Sequence, residues 1–137
     1  MKRILTVPAQ VDRLDEVCAF VDEAAADVGM EVKAQSNIRL AVEEIFVNIA
    51  SYAYPSGEGN ATVSISVKAE RLIIEFADDG TPYNPLEKPD PDTTLAAVER
   101  EIGGLGIFMV KKMMDNVEYR YENHKNILTI EKIFDPK

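Results

Sequence analysis

Two polar side chains, Glu44 and Asn48, interrupt a largely apolar stretch of the sequence, AVEEIFVNIA. Because they are four residues apart, they share one face of a helix, whereas the neighbouring Glu43 points away from it. The amide oxygen of Asn48 suits Mg²⁺, which takes one or two protein ligands beside the phosphates of a substrate. Glu44 could then accept the proton of an attacking hydroxyl group or water molecule. A hydrogen-bonded pair without any chemical role would leave the same pattern.

A second polar site, Asp78-Asp79-Gly80-Thr81-Pro82, directly follows an apolar stretch with the character of a strand. The carboxylate of Asp78 at the end of that strand can accept a hydrogen bond from the exocyclic amine of adenine. Gly80 would let the backbone approach the ring closely. An ordinary Asp-Gly turn is the alternative reading of these residues.

The third site is a glycine run, Gly103-Gly104-Leu105-Gly106, which leads into an apolar helix. The start of a helix offers free N–H donors and the positive end of the helix dipole, and both attract phosphate groups. Tight turns also use such glycines. The run lacks the Gly-Lys-Ser/Thr of a P-loop, and no strand immediately precedes it, as the Rossmann fingerprint requires. These two nucleotide-binding folds are therefore excluded.

The hydrophobic periodicity predicts which elements must position these sites. The order is β-α-α-β-β-lid-α-β-β, with a second helix that is apolar on almost every side. Strands and helices do not alternate regularly, so we predict an α+β fold, a two-layer sandwich. A mixed, mostly antiparallel sheet is covered on one face by about three helices. The predicted ranges are strands at 2–7, 61–69, 72–76, 117–121 and 127–134, helices at 11–28, 31–54, 93–100 and 103–114, and a lid at 81–103.

The composition indicates the class of protein. A length of 137 residues predicts a single domain, 1–137, and the single cysteine, Cys18, is expected to be a core residue. The formal net charge of −9 disfavours nucleic-acid binding. No apolar stretch has the length of a signal peptide or a membrane anchor, so a cytoplasmic location is expected. The lone histidine, His124, is predicted to lie exposed and inert in a hairpin turn.

In their order along the chain, the three sites resemble the N, G1 and G2 boxes of the gyrase, heat-shock chaperone, histidine kinase and mismatch-repair superfamily, which has the Bergerat ATP-binding fold. Within it, three segments are similar to the anti-sigma-factor serine/threonine kinases, AVEEIFVNIASYAYP, DDGTPYNPLE and GGLGIFMVKKMMDNVEYR. The similarity covers essentially the whole chain. The sequence departs from the family at Tyr52, where many of these kinases have histidine, and at Pro82, where other branches have a second glycine.

The resemblance implies a role for each site residue. Glu44 would be the catalytic base, Asn48 the Mg²⁺ ligand and Asp78 the partner of adenine. Thr129 would support Asp78, although an ordinary strand threonine is the alternative. The remaining implied nucleotide-binding residues are the glycines Gly80, Gly104 and Gly106.

The resemblance also implies a function. The chain would bind ATP and Mg²⁺ under a mobile lid and transfer the γ-phosphoryl group to a serine or threonine of a small antagonist, an anti-anti-sigma protein of the STAS type. It would hold a sigma factor when the antagonist is absent, and it could form a homodimer. The alternative is a non-catalytic module in which the bound nucleotide shapes a surface for a partner protein.

Overall fold

The computed structural model describes residues 2–55, 57–87 and 104–135, which form two layers, a five-stranded sheet and three α-helices. The α+β class and the order of these elements are confirmed. The strands are β1 Lys2–Pro8, β2 Asn60–Lys68, β3 Arg71–Asp78, β4 Asn116–Glu122 and β5 Lys125–Ile133. The helices are α1 Leu14–Asp27, α2 Val32–Asn48 and α3 Gly104–Met113.

The sheet has the strand order β1-β2-β3-β5-β4. Every pair of neighbouring strands is antiparallel, so the described sheet is antiparallel throughout and not mixed. Alternate side chains of the inner strands, such as Val63, Ile74 and Ile130, are fully buried in the core with the helices. The opposite positions, such as Thr62 and Ser64, lie on the other face. The alternation of apolar and polar residues therefore determines which face the helices cover.

The second helix differs from its prediction at its C-terminal end and on its solvent side. Helix α2 ends at Asn48, and a five-residue π-helical turn, Ile49–Ala53, replaces the predicted continuation to Tyr54. The helix packs against both α1 and α3, as expected of an apolar helix. Val32 and Leu40 are nevertheless 78% and 53% exposed, so one side of the helix faces the solvent in spite of its apolar residues.

A backbone strain that one substitution can relieve is found in the turn between β2 and β3. Ala69 has a φ of 56°, in the left-handed region. This conformation costs an L-residue about 1–2 kcal/mol, whereas glycine adopts it freely. We expect Ala69→Gly to raise the free energy of unfolding by roughly 0.5–1 kcal/mol, after the greater flexibility of the unfolded chain is subtracted. Urea denaturation measures this change.

The matched control for that prediction is Glu70→Gly. Glu70 is the next residue of the same turn, it is also exposed, and it is not among the residues with positive φ. Here glycine brings only extra flexibility of the unfolded chain, so stability should fall. A destabilised Ala69→Gly variant would show that the left-handed conformation carries no cost at this turn.

Candidate active site

A cavity of about 430 Å³ lies where α2, the end of β3, the start of β5 and the first turn of α3 meet. Most of its wall is apolar and includes Ile45, Phe76 and Ile107. Three of the five tyrosines of the sequence, Tyr52, Tyr83 and Tyr119, also line it. The polar residues of the wall include Asn48, Asp78 and Asn126. Apolar walls with a few converging polar groups are typical of small-molecule sites.

Glu44 and Asn48 lie side by side near the C-terminal end of α2. The Asn48 side chain donates a hydrogen bond from Nδ2 to Oε1 of Glu44 over 3.1 Å, which confirms that the two share one helical face. This bond uses the amide N–H, so Oδ1 of Asn48 takes no part in it. Glu43 instead accepts a hydrogen bond from Arg39, as expected for a carboxylate that points away from the pair. Asn48, a cavity residue, therefore has an oxygen to offer a ligand while it orients the Glu44 carboxylate.

Gly106 brings the first turn of α3 against Glu44. A Cβ atom added at Gly106 would overlap the carboxylate of Glu44. Any larger residue at this position would displace the Glu44 carboxylate from the helix backbone. Gly104 is the first residue of the same helix. The free N–H groups at a helix start attract anions, so the predicted phosphate-binding element and the predicted base are neighbours.

Asp78 is the last residue of β3 and is only 6% exposed. Its Oδ1 atom accepts two hydrogen bonds of 2.9 Å, one from the N–H of Gly80 and one from Nδ2 of Asn126. Neither bond uses Oδ2. The carboxylate is thus held in place at the cavity wall through one oxygen, and the other can accept a hydrogen bond from a ligand.

The loop after β3 packs closely on the π-helical turn Ile49–Ala53. A Cβ atom at Gly80 would overlap the carbonyl oxygen of Ala53, and the N–H of Thr81 donates a 2.8 Å hydrogen bond to that oxygen. A π-helical turn frees backbone groups that a regular helix would use and is common at functional sites. Gly80 is therefore required at this position for close packing of the loop against the π-helical turn.

The hydroxyl group of Tyr54 fixes the same loop from the other side. It donates a 2.6 Å hydrogen bond to the carbonyl oxygen of Asn60 and accepts one of 2.8 Å from the N–H of Asp79. Burial raises the pKa of Tyr54, so the hydroxyl keeps its proton at neutral pH. Tyr54 therefore connects the start of β2 to the segment that carries Asp78 and Gly80.

Residues 7–132 match the family described as the histidine kinase-like ATPase domain. The chain belongs to this family. Its fold agrees with that of the catalytic domain of the histidine kinase ThkA, with a TM-score of 0.58 at 10% identity, over 98% of this chain and 99% of that one.

Several relatives of this ATPase domain carry the name serine-protein kinase RsbW. The protein from Listeria monocytogenes is 24% identical over 132 residues, which cover 93% of this chain and 84% of the relative. The protein from Halalkalibacterium halodurans is 27% identical over 128 residues, which cover 87% and 75%. The structure of the RsbU and RsbW domains of Rv1364c from Mycobacterium tuberculosis has a TM-score of 0.69 at 14% identity, over 98% of this chain and 32% of that one.

The residue that supports Asp78 is not the one that the sequence predicted. In the antiparallel register Thr129 lies opposite Glu75, whereas Asp78 lies opposite Asn126. Three positions separate Thr129 from Asn126, so the side chains of the two residues lie on opposite faces of the sheet. The prediction that Thr129 supports Asp78 is therefore wrong, and Asn126 holds that place. No local signal in the sequence gives this register, because β3 and β5 are far apart along the chain.

Thr129 now provides a test of its own. Its Oγ1 atom is buried and has no hydrogen-bond partner within the described part of the chain. An unsatisfied buried hydroxyl costs about 1–3 kcal/mol. We expect Thr129→Val, which keeps the shape and removes the hydroxyl, to raise the free energy of unfolding by about 1 kcal/mol. Nucleotide affinity should not change.

The matched control is Thr62→Val on the same face of the sheet. The hydroxyl of Thr62 is hydrogen-bonded to that of Thr6 over 3.0 Å, so its removal brings no gain. Chemical denaturation and nucleotide titration of both variants check the prediction. A loss of nucleotide affinity in Thr129→Val would return Thr129 to the binding site.

The other predicted features have separate outcomes. Cys18 is a buried core residue as expected, and burial raises the pKa of its thiol to about 11. His124 lies exposed in the turn between β4 and β5. The predicted helix at 93–100 and most of the predicted lid, from 88 to 103, lie outside the described residues. Within the described ranges no helix combines the length and the apolar character needed to cross a membrane.

Proposed function

We propose that this chain is an ATP-dependent serine/threonine protein kinase that phosphorylates a small anti-anti-sigma protein of the STAS type. The observation that carries the proposal is the position of Glu44. Its carboxylate is hydrogen-bonded to Asn48 and touches the glycine start of α3 at Gly106. A site that only binds a nucleotide has no need of a carboxylate at this place, because the negative charge would repel phosphate groups.

The residues of the cavity fit Mg-ATP. Asp78 offers a fixed carboxylate oxygen to the amine of adenine, and the apolar wall suits the flat ring. Asn48 has an amide oxygen for Mg²⁺, and the start of α3, with Gly104 and Gly106, offers N–H donors to phosphates. A Cβ atom at Gly80 would overlap the backbone of Ala53, and one at Gly106 would overlap the carboxylate of Glu44.

Bound Mg-ATP supplies the phosphoryl group and the positive charge of the metal ion. Glu44 accepts the proton of the attacking serine or threonine hydroxyl while the hydroxyl oxygen forms its bond to the γ-phosphorus, and ADP leaves. Asn48 keeps the carboxylate oriented through its amide N–H. The proton thus moves from the protein substrate to Oε1 or Oε2 of Glu44, and phosphorylated hydroxyl and ADP are the products.

The relatives support the kind of partner. They are named serine-protein kinases, and the similar solved structure contains an RsbU and an RsbW domain in one chain. The proposal therefore includes regulatory proteins as partners, with a sigma factor bound when the anti-anti-sigma protein is absent. A homodimer and a cytoplasmic location belong to the same proposal.

Labelled ATP tests the proposal directly. The chain is incubated with γ-³²P-ATP, Mg²⁺ and each STAS-type protein encoded close to its own gene. We expect label on a serine or threonine of one of these proteins and none on the variant that has alanine at that position. Nucleotide binding without transfer to any of them would overturn the kinase proposal and favour a nucleotide-dependent binding module.

A further inference from the structure

Asn126 makes more polar contacts with the loop after β3 than its place in a strand requires. It is the second residue of β5 and is 7% exposed. Its Nδ2 atom donates to Oδ1 of Asp78 over 2.9 Å and to the carbonyl oxygen of Thr81 over 3.0 Å. Its Oδ1 atom accepts from the N–H of Tyr83 over 3.1 Å and from the hydroxyl of Tyr119 over 2.5 Å. Both ends of the amide are thus fully used.

These contacts permit only one orientation of the amide. The Tyr83 N–H can only donate, and the Thr81 carbonyl can only accept. A flipped amide would place its NH₂ group against the first and its oxygen against the second. An aspartate of the same shape would keep the acceptor contacts and lose both donor contacts. The position therefore requires an acceptor and a donor on the same short side chain, which asparagine provides.

We infer that Asn126 is a positioning residue that fixes Asp78 as a hydrogen-bond acceptor and ties it to the backbone of Thr81 and Tyr83. Through this link the base-binding carboxylate and the first residues of the loop are held in one arrangement. The inference rests on the proposed role of Asp78 in nucleotide binding. It goes beyond that role because it states that Asn126, a residue of another strand, fixes the position of the Asp78 carboxylate.

Asn126→Asp tests the donor half of this arrangement. At pH 8 two carboxylates, those of residue 126 and Asp78, would face each other at hydrogen-bonding distance. A like charge this close strongly raises the pKa of one of the two carboxyl groups, so the pair holds a shared proton at pH 5.5 and loses it at pH 8. We expect the variant to bind Mg-ADP at least about tenfold more weakly than the parent at pH 8. Most of that difference should disappear at pH 5.5.

The nucleotide phosphates titrate in the same way in the experiments with the parent and with the variant. Their effect therefore cancels in the ratio of the two affinities. Three neighbouring groups, Tyr54, Tyr119 and Lys125, keep their protons throughout this pH range. Burial raises the pKa of both Tyr54 and Tyr119, and a hydrogen bond to Asp79 raises that of Lys125. Among the described residues, the titratable groups near the cluster are Tyr54, Asp78, Asp79, Glu87, Tyr119, Tyr121 and Lys125.

Asn116→Asp is the matched control. The Nδ2 atom of Asn116 also donates to carboxylates, to Glu131 over 2.8 Å and to Glu118 over 3.1 Å, but Asn116 does not line the cavity. This variant has the same change in charge and the same new repulsion. Its stability should vary with pH, but its affinity for Mg-ADP should match the parent at both pH values.

A second measurement needs no nucleotide. Hydrogen exchange of the Tyr83 amide, followed by NMR, reports the acceptor half of the arrangement. We expect the amide to stay protected in Asn126→Asp, which keeps an oxygen there, and to exchange about tenfold faster or more in Asn126→Ala. Equal exchange in the parent and in Asn126→Ala would overturn the link to the loop.

The outcomes separate the two proposals. A parent that binds no nucleotide would refute the proposed function, and the exchange of Tyr83 would still decide the role of Asn126. An affinity ratio that is the same at pH 5.5 and pH 8 would reduce Asn126 to a packing residue and overturn the inference. The same pH-dependent ratio in Asn116→Asp would also overturn it, because the effect would then follow net charge alone.

Discussion

Glutamine in place of Glu44 should lower the rate of phosphoryl transfer by about 10²- to 10⁴-fold while ATP affinity stays within a few-fold of the parent. The variant keeps the size of the side chain and an oxygen that can accept the Asn48 hydrogen bond, but it cannot take up the proton of the attacking hydroxyl. The loss therefore falls on the chemical step. Single-turnover transfer from γ-labelled ATP, together with calorimetric titration of ATP, measures the two quantities separately.

Glu43→Gln is the matched control for this prediction. Glu43 is the adjacent residue of the same helix, and its carboxylate pairs with Arg39 and not with the site. The control should transfer phosphoryl groups at nearly the parental rate. If Glu44→Gln loses affinity, melting temperature and rate together, Glu44 is a structural residue. Near-parental transfer by Glu44→Gln would remove it from the mechanism.

Alanine in place of Asn48 should weaken the binding of Mg-ATP by at least about 100-fold, the upper range for the loss of a group that supports a metal site. The substitution removes the oxygen offered to Mg²⁺ and the N–H that orients Glu44. Little buried volume is lost, so the fold should remain intact. Titration calorimetry with Mg-ATP, and with ATP in the presence of EDTA, separates the metal-dependent part of the affinity.

Asn37→Ala controls for the loss of an asparagine from the same helix. Asn37 is half-buried and does not line the cavity. Its removal should leave the affinity for Mg-ATP unchanged. Parental affinity in a folded Asn48→Ala variant would contradict the assignment of Asn48 as the metal ligand. A loss of equal size with and without Mg²⁺ would mean that Asn48 acts through Glu44 alone.

The features that the sequence predicted correctly are those set by local periodicity. Glu44 and Asn48 meet because residues four apart always share a helical face. Asp78 lies at the cavity because it ends a strand whose buried side chains alternate up to that residue. The order of strands and helices follows from the same alternation. Each of these predictions needed only the geometry of one element.

The features that the sequence did not predict depend on how elements meet. Asn126 rather than Thr129 reaches Asp78 because β5 pairs with β3, a strand far away in the sequence, in a register that places Asn126 opposite Asp78. The sequence did not predict the π-helical turn at Ile49–Ala53, because residues of these types are equally common in a regular α-helix. It is accompanied by the hydrogen bond from Thr81, a residue far away in the sequence. The strand register and the π-helical turn both depend on tertiary contacts, which local sequence patterns do not reveal.

The tyrosines around the cavity provide an intrinsic fluorescence signal for ligand binding. The sequence has no tryptophan, so its ultraviolet emission comes from five tyrosines without transfer of the excitation energy to an indole. Tyr52, Tyr83 and Tyr119 line the cavity, and the first two are 58% and 46% exposed. A ligand that enters must change the surroundings of most of the emitting rings. Its arrival and departure can therefore be followed by fluorescence in real time on the unlabelled chain.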